Sequence, residues 1–182
     1  SNAIVITGTV AQVTAALVTA DTLVVAATAK ATISDAQGTD IDATDLSASG
    51  GKTSGEITVS NAIDISGDHD EVKAALVTAD TLVVAATATV TISGTLSTAT
   101  EISTLASIAG ATTGKVTATV SGTAAVVDDI GTTSATDTIT ITVSDEVTVS
   151  QGDTIVNGTD ATSVTFTSGI EDTLANLVNA NN

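Results

Sequence analysis

The chain contains no cysteine, proline, methionine, tryptophan, tyrosine or arginine, and only one phenylalanine and one histidine. Without cysteine there can be no disulfide, thiol catalysis or thiolate metal centre, while the redox compartment stays open. Four lysines against 21 acidic residues give a formal charge of −17. Nucleic-acid binding needs a basic footprint and usually stacking aromatics, so this balance argues against it. An anionic membrane surface would repel the chain, and no apolar run approaches the roughly 18 residues of a spanning helix. What is present is small and often β-branched. Ala, Thr and Val make up about half of the 182 residues, and hydrophobic content is 42%. That is too apolar for compositional disorder, and the length suits one ordinary domain or a short repeat array. Because the apolar side chains are small, the core is expected to be extended and thin.

No signal-peptide pattern opens the chain. Ser1-Asn2-Ala3 read as an expression-tag scar, and the remainder as an excised fragment whose targeting signals lie elsewhere.

Internal repetition is the strongest signal. Residues 15–29, AALVTADTLVVAATA, recur unchanged at 74–88, an offset of 59. Gly8 corresponds to Gly67, Val13 to Val72, Ile33 to Ile92 and Gly55 to Gly114. A diverged copy begins near Asp137. The chain therefore divides into repeat 1 (4–62), repeat 2 (63–121) and a truncated repeat 3 (122–182).

Within each repeat the hydrophobic period changes. Alternation over Leu23–Ile33, Leu82–Ile92, Ile139–Val149 and Ile57–Ile65 predicts strands, with shorter ones at Ile4–Ile6, Val116–Val120 and Val164–Phe166. Phe166 is expected in the core of the last strand. Between them Val10, Val13, Ala16, Leu17 and Ala20 fall at helical spacing, as do Val72, Ala75, Leu76 and Ala79, then Ala99, Ile102, Leu105, Ala106 and Ala109, then Leu174, Leu177 and Val178. Thr9, Asp68 and Thr95 stand where N-caps belong, and Gly110 where a left-handed stop would fall. The segments 39–49, 123–130 and 153–156 read as single helical turns or loops. Strands joined by helical crossovers should be parallel. The expected fold is α/β, a repetitive βα solenoid-like array with a period near 30 residues. The alternative is an all-β sandwich or β-helix, which the Thr and Val content favours.

Candidate sites are few. His69, in Gly67-Asp68-His69-Asp70-Glu71, has no second histidine to share a transition metal, and Thr9-Val10-Ala11-Gln12 replaces this stretch in the first copy. It reads as a solvated helix start. Asp35, Asp40, Asp42 and Asp45 are the best calcium candidates, being closely spaced carboxylates among Gly and Thr oxygens. Their spacing matches neither an EF-hand nor a glycine-rich calcium repeat. Asp128-Asp129 and Asp145-Glu146 are too sparse to form a site alone. There is no GxSxG, no phosphate loop and no aromatic platform for a sugar, so no catalytic or cofactor-binding residue is assigned and the chain reads as non-enzymatic. Asn157-Gly158-Thr159 fits the glycosylation triplet. Thr28, Thr87 and Thr89 alternate like the ranks of an ice-binding surface, but Lys30 and Val90 interrupt them.

The stretches VTISGTLSTATEISTLASIAGATTGKVTATVSGTAAV and VTFTSGIEDTLANLVNA resemble repeat regions of very large secreted bacterial surface proteins. Those are the Ala/Thr/Val/Asp-rich arrays of adhesin-like, S-layer-like and calcium-associated proteins, including cyanobacterial ones. The resemblance is compositional and covers nearly the whole chain. It implies an extracellular or cell-surface setting and a structural role as spacer or coat, with neighbouring repeats of the same parent chain as partners. An adhesion module engaging a glycan or surface, assisted by calcium, is the alternative. It transfers no functional residues.

Overall fold

The computed structural model describes residues 4–19, 21, 27–131 and 133–179. Leu23 to Ala26, within the first expected strand, lie outside the described residues. The elements run β1 (Val5–Gly8), α1 (Val10–Leu17), β2 (Lys30–Ile33), β3 (Asp40–Asp42), α2 (Ala43–Gly50), β4 (Ile57–Val59), β5 (Asp64–Gly67), α3 (His69–Leu76), β6 (Val83–Val84), β7 (Thr89–Leu96), α4 (Ala99–Gly110), β8 (Val116–Gly122), α5 (Ala124–Val127), a 3-10 turn, β9 (Thr138–Val143), α6 (Val149–Gly158), β10 (Ser163–Phe166) and α7 (Leu174–Asn179). The fold is α/β, and every strand pair among the described residues is parallel.

Two sheets form, β1-β2-β4-β6 and β10-β9-β8-β7-β5-β3, and in each the spatial order follows the chain order. Paired residues are 21 to 26 positions apart, from Thr117 opposite Thr138 to Ala31 opposite Ile57. This spacing is shorter than the period near 30 expected from the pattern. The difference arises because Ile57–Ile65 and Leu82–Ile92 are not single strands. Each breaks into two, one for each sheet, with a turn at Ala86-Thr87 in the second.

Copies of one sequence consequently serve different sheets. β1, β2 and β4 lie in the four-stranded sheet, whereas β5, the first half of β7 and β8, 59 residues on, lie in the six-stranded one. This works because the requirement is only an alternating inward face. Ile33, Ile57, Ile65, Val90, Val116, Ile139 and Ile141 are all buried in one continuous core with Val13, Leu46, Val72 and Leu105 from the helices.

Local chemistry fixes the helix starts. Capping boxes pair Thr9 with Gln12, Asp68 with Glu71, Thr98 with Glu101 and Thr148 with Gln151. The cap of α4 is thus Thr98, not Thr95, which remains in β7 after a register shift of that strand. Gly94, at φ +78°, turns the chain there as few other residues could. Gly110 is the last helical residue of α4 rather than a left-handed stop. The segment around 39–49 carries an eight-residue helix, and 153–156 lies inside the ten-residue α6; small polar residues hid their apolar faces.

One corner repeats in atomic detail. Thr53 Oγ1 donates to the Ala29 carbonyl at 2.6 Å, Ser54 N to Ala27 at 2.8 Å, and Gly55 N to Thr53 Oγ1 at 3.0 Å. Thr112 bonds Ala88, Thr113 bonds Ala86 and Gly114 bonds Thr112 at the same three distances.

Candidate functional site

The four calcium candidates occupy separate structural positions. Asp35 is nearly buried after β2, and its carboxylate accepts from the Val10 N–H at the start of α1, 2.6 Å away. Asp40 lies exposed on β3. Asp42 caps α2, accepting from the Thr44 N–H at 2.8 Å and the Thr44 hydroxyl at 2.6 Å. Asp45 is exposed in the first turn of α2. Among the described residues no three His, Asp or Glu side chains converge as a metal would need.

The Asp35 contact belongs to a recurring device. Asp145 accepts from Ala124 N at the head of α5, and Asp172 from Val149 N at the head of α6, at 2.7 and 3.1 Å. In each case a carboxylate 21 to 25 residues downstream satisfies a helix's first free N–H, which favours negative charge. A fraction of the acidity is therefore structural, tying one strand–helix turn to the next. An Asp two residues beyond a strand end, as at Asp35 and Asp145, was the available sequence signal.

His69 is buried, 5% exposed, and not the solvated helix start expected of it. Its Nε2 meets the Thr104 hydroxyl on α4, and its Nδ1 lies 3.0 Å from Asp70. The ring bridges α3 and α4 beside a cleft of about 160 Å³. Only two neighbouring strand–helix units reach it, which the linear sequence does not show.

The outer face of the six-stranded sheet carries hydroxyl ranks. Ser66, Thr91, Thr117 and Thr138 lie in one register line, and Thr95, Thr119, Thr140 and Ser163 in another. Val90 does not interrupt them, because it points into the core, while Thr28 and Thr87 lie outside the strands. At the C-terminal end, a cleft of about 390 Å³ is lined by Gly152, Val156, Phe166, Ile170 and Leu177. Phe166 is only partly buried there. Thr159 of the glycosylation triplet is buried, with Asn157 bonded to Asp153 on α6.

Comparison with protein-family models, with characterised proteins and with solved structures finds no match. No helix among the described residues is long and apolar enough to cross a membrane.

Four carboxyls depart from their ordinary affinity for protons. Asp42 is lowered by the Thr44 hydroxyl and N–H, Glu101 by the N–H groups of Ser97 and Thr98, and Asp172 by the Asn176 amide and Thr173 N–H. Glu146 is raised by sharing a hydrogen bond with Glu171 and by its charge. A lowered folded-state value contributes stability above the unfolded value, lost as pH falls through the folded one. The three lowered groups should therefore weaken the fold progressively below about pH 4. Glu146 acts oppositely, its strain being relieved as pH falls through its raised value. Circular dichroism melts from pH 7 to pH 2.5 should show the loss setting in below pH 4. A Thr44→Ala, Thr98→Ala double variant should flatten it.

Proposed function

We propose that the chain is a non-catalytic structural repeat segment of a large cell-surface or secreted protein, a spacer or coat built as a βα solenoid. The supporting observation is the corner at Thr53–Gly55, reproduced bond for bond at Thr112–Gly114, together with strand orders that follow the chain in both sheets. Stacked units of this kind lengthen by addition and need no site to do their work. The acidic residues fit the same role, because like charge keeps strand-rich arrays apart in solution. Small-angle X-ray scattering on this chain, and on one carrying a further copy of residues 60–118, tests the reading. The longer chain should gain roughly 12 Å in length at constant cross-section, a little over two strand spacings for one copy. A cross-section that swells while the length stays fixed would sink the solenoid.

The exposed hydroxyl ranks on β7 to β10 favour a second reading, an adhesion module that engages a glycan or other surface, with calcium on the acidic loops. Retention on immobilised polysaccharide, lost in a Thr119→Lys, Thr140→Lys variant, would carry it. For the cation, the unfolding midpoint in calcium should fall on adding chelator; an unchanged midpoint removes calcium from the reading.

A further inference from the structure

The first 19 residues and residues 60–78 are copies, and the structure holds 4–19 and 63–78 in two different situations. Ser1-Asn2-Ala3-Ile4 recurs as Ser60-Asn61-Ala62-Ile63, and the backbone bond from Lys30 N to the Ile4 carbonyl recurs from Thr89 N to Ile63. The local fold is the same, yet Ile63 is 0% exposed and Ile4 48%, and Ile65 is buried where Ile6 is only partly so. The difference is a neighbour. β5 and α3 are covered by β3 and α2, with Ile41 opposite Ile65, while β1 ends its sheet on the N-terminal side.

Charge separates the copies too. Asp64, Asp68, Asp70, Glu71 and Lys73 are replaced by Val5, Thr9, Ala11, Gln12 and Thr14, so residues 1–19 carry no charge in a chain of net −17. An uncharged edge strand with Val5 67% exposed lacks the usual protection against pairing. The opposite end presents what such an edge needs. β10 ends the other sheet on the C-terminal side, and the strand-then-helix order of β10 and α7 matches that of β3 and α2. Leu174 is 78% exposed and Leu177 and Val178 also face outward, although Leu46, at Leu177's place in the helix, is fully buried in α2.

We infer that the C-terminal end of one copy, β10 and α7, docks on the N-terminal edge, β1 and α1, of a second copy of this chain. The contact is heterologous, continues the interior β3–β5 interface, and leaves a free end on each side, so it generates filaments rather than closed dimers. The inference rests on the stacking reading, but the two fail separately: a chain that is elongated and always monomeric overturns only the docking.

Sedimentation velocity over a concentration series, in salt sufficient to screen the charge, tests it. The mean mass should rise roughly twofold or more with concentration. Val5→Lys and Leu174→Lys change exposed residues, should keep the circular dichroism of the parent, and should each be monomeric alone. Mixed one to one, they should form a dimer and stop, because the mixture holds one intact end of each kind. Monomer at every concentration, assembly by either variant alone, or no dimer in the mixture overturns the proposal.

Discussion

Alanine at Gly55 or Gly114 is expected to cost at least about 3 kcal/mol, near the top of the range for overpacking. A Cβ at Gly55 would stand far inside 3.0 Å of the Ala29 carbonyl oxygen, and one at Gly114 equally close to that of Ala88. In both corners the obstacle is backbone, held by the Thr53 or Thr112 hydroxyl, so nothing small can swing aside. The adjacent strands would have to part. Circular dichroism melts should show either variant unfolding roughly 6 to 12 °C lower, or failing to fold. Gly110→Ala is the control. Its site has open space and is the exposed last residue of α4, so the same change there should alter stability by no more than about 0.5 kcal/mol. Equal effects at the three positions would refute the close-approach account.

The second large effect contrasts two positions that the sequence alone cannot distinguish. Ile63→Ala should cost about 2 to 5 kcal/mol, as for a fully buried aliphatic side chain. Ile4→Ala, at the corresponding position of the first copy but 48% exposed, should cost about 1 kcal/mol or less in dilute solution. Urea titrations of the two variants at low protein concentration give the comparison directly. Matching losses would mean that Ile4 is covered in the monomer.

Much of the fold is legible in the sequence, and the limits of that reading have physical causes. Alternation located the strands apart from β3, which lay in the stretch 39–49 read as turns, and it carried β9 past its end at Val143; the 3.6-residue period located α1, α3, α4 and α7, because both depend only on near neighbours. The parallel pairing followed from the crossover length. The breaks in Ile57–Ile65 and Leu82–Ile92 were hidden because Ala, Ser and Thr suit turn and strand alike. α6 was obscured because Gly152 and Thr154 dilute its apolar face. The site residues were less legible. Asp35 reads as a cation ligand among its acidic neighbours, and only the fold shows Val10 N–H as its partner from 25 residues away. His69 likewise needed Thr104, 35 positions on. Ser1-Asn2-Ala3 recur as Ser60-Asn61-Ala62, so these three residues suit the head of a repeat as well as a tag.

The mismatch between a 59-residue copy and strand pairings 21 to 26 residues apart has a consequence for how such a chain can grow. Lys30 and Thr32 of β2 look out from one sheet, while their counterparts Thr89 and Thr91 look out from the other. Each duplication by a whole copy thus rotates the chemistry of its predecessor to a new side. In the proposed solenoid, a feature duplicated many times would be wound around the axis instead of aligned along one wall, so lengthening the chain would not build up a single adhesive stripe.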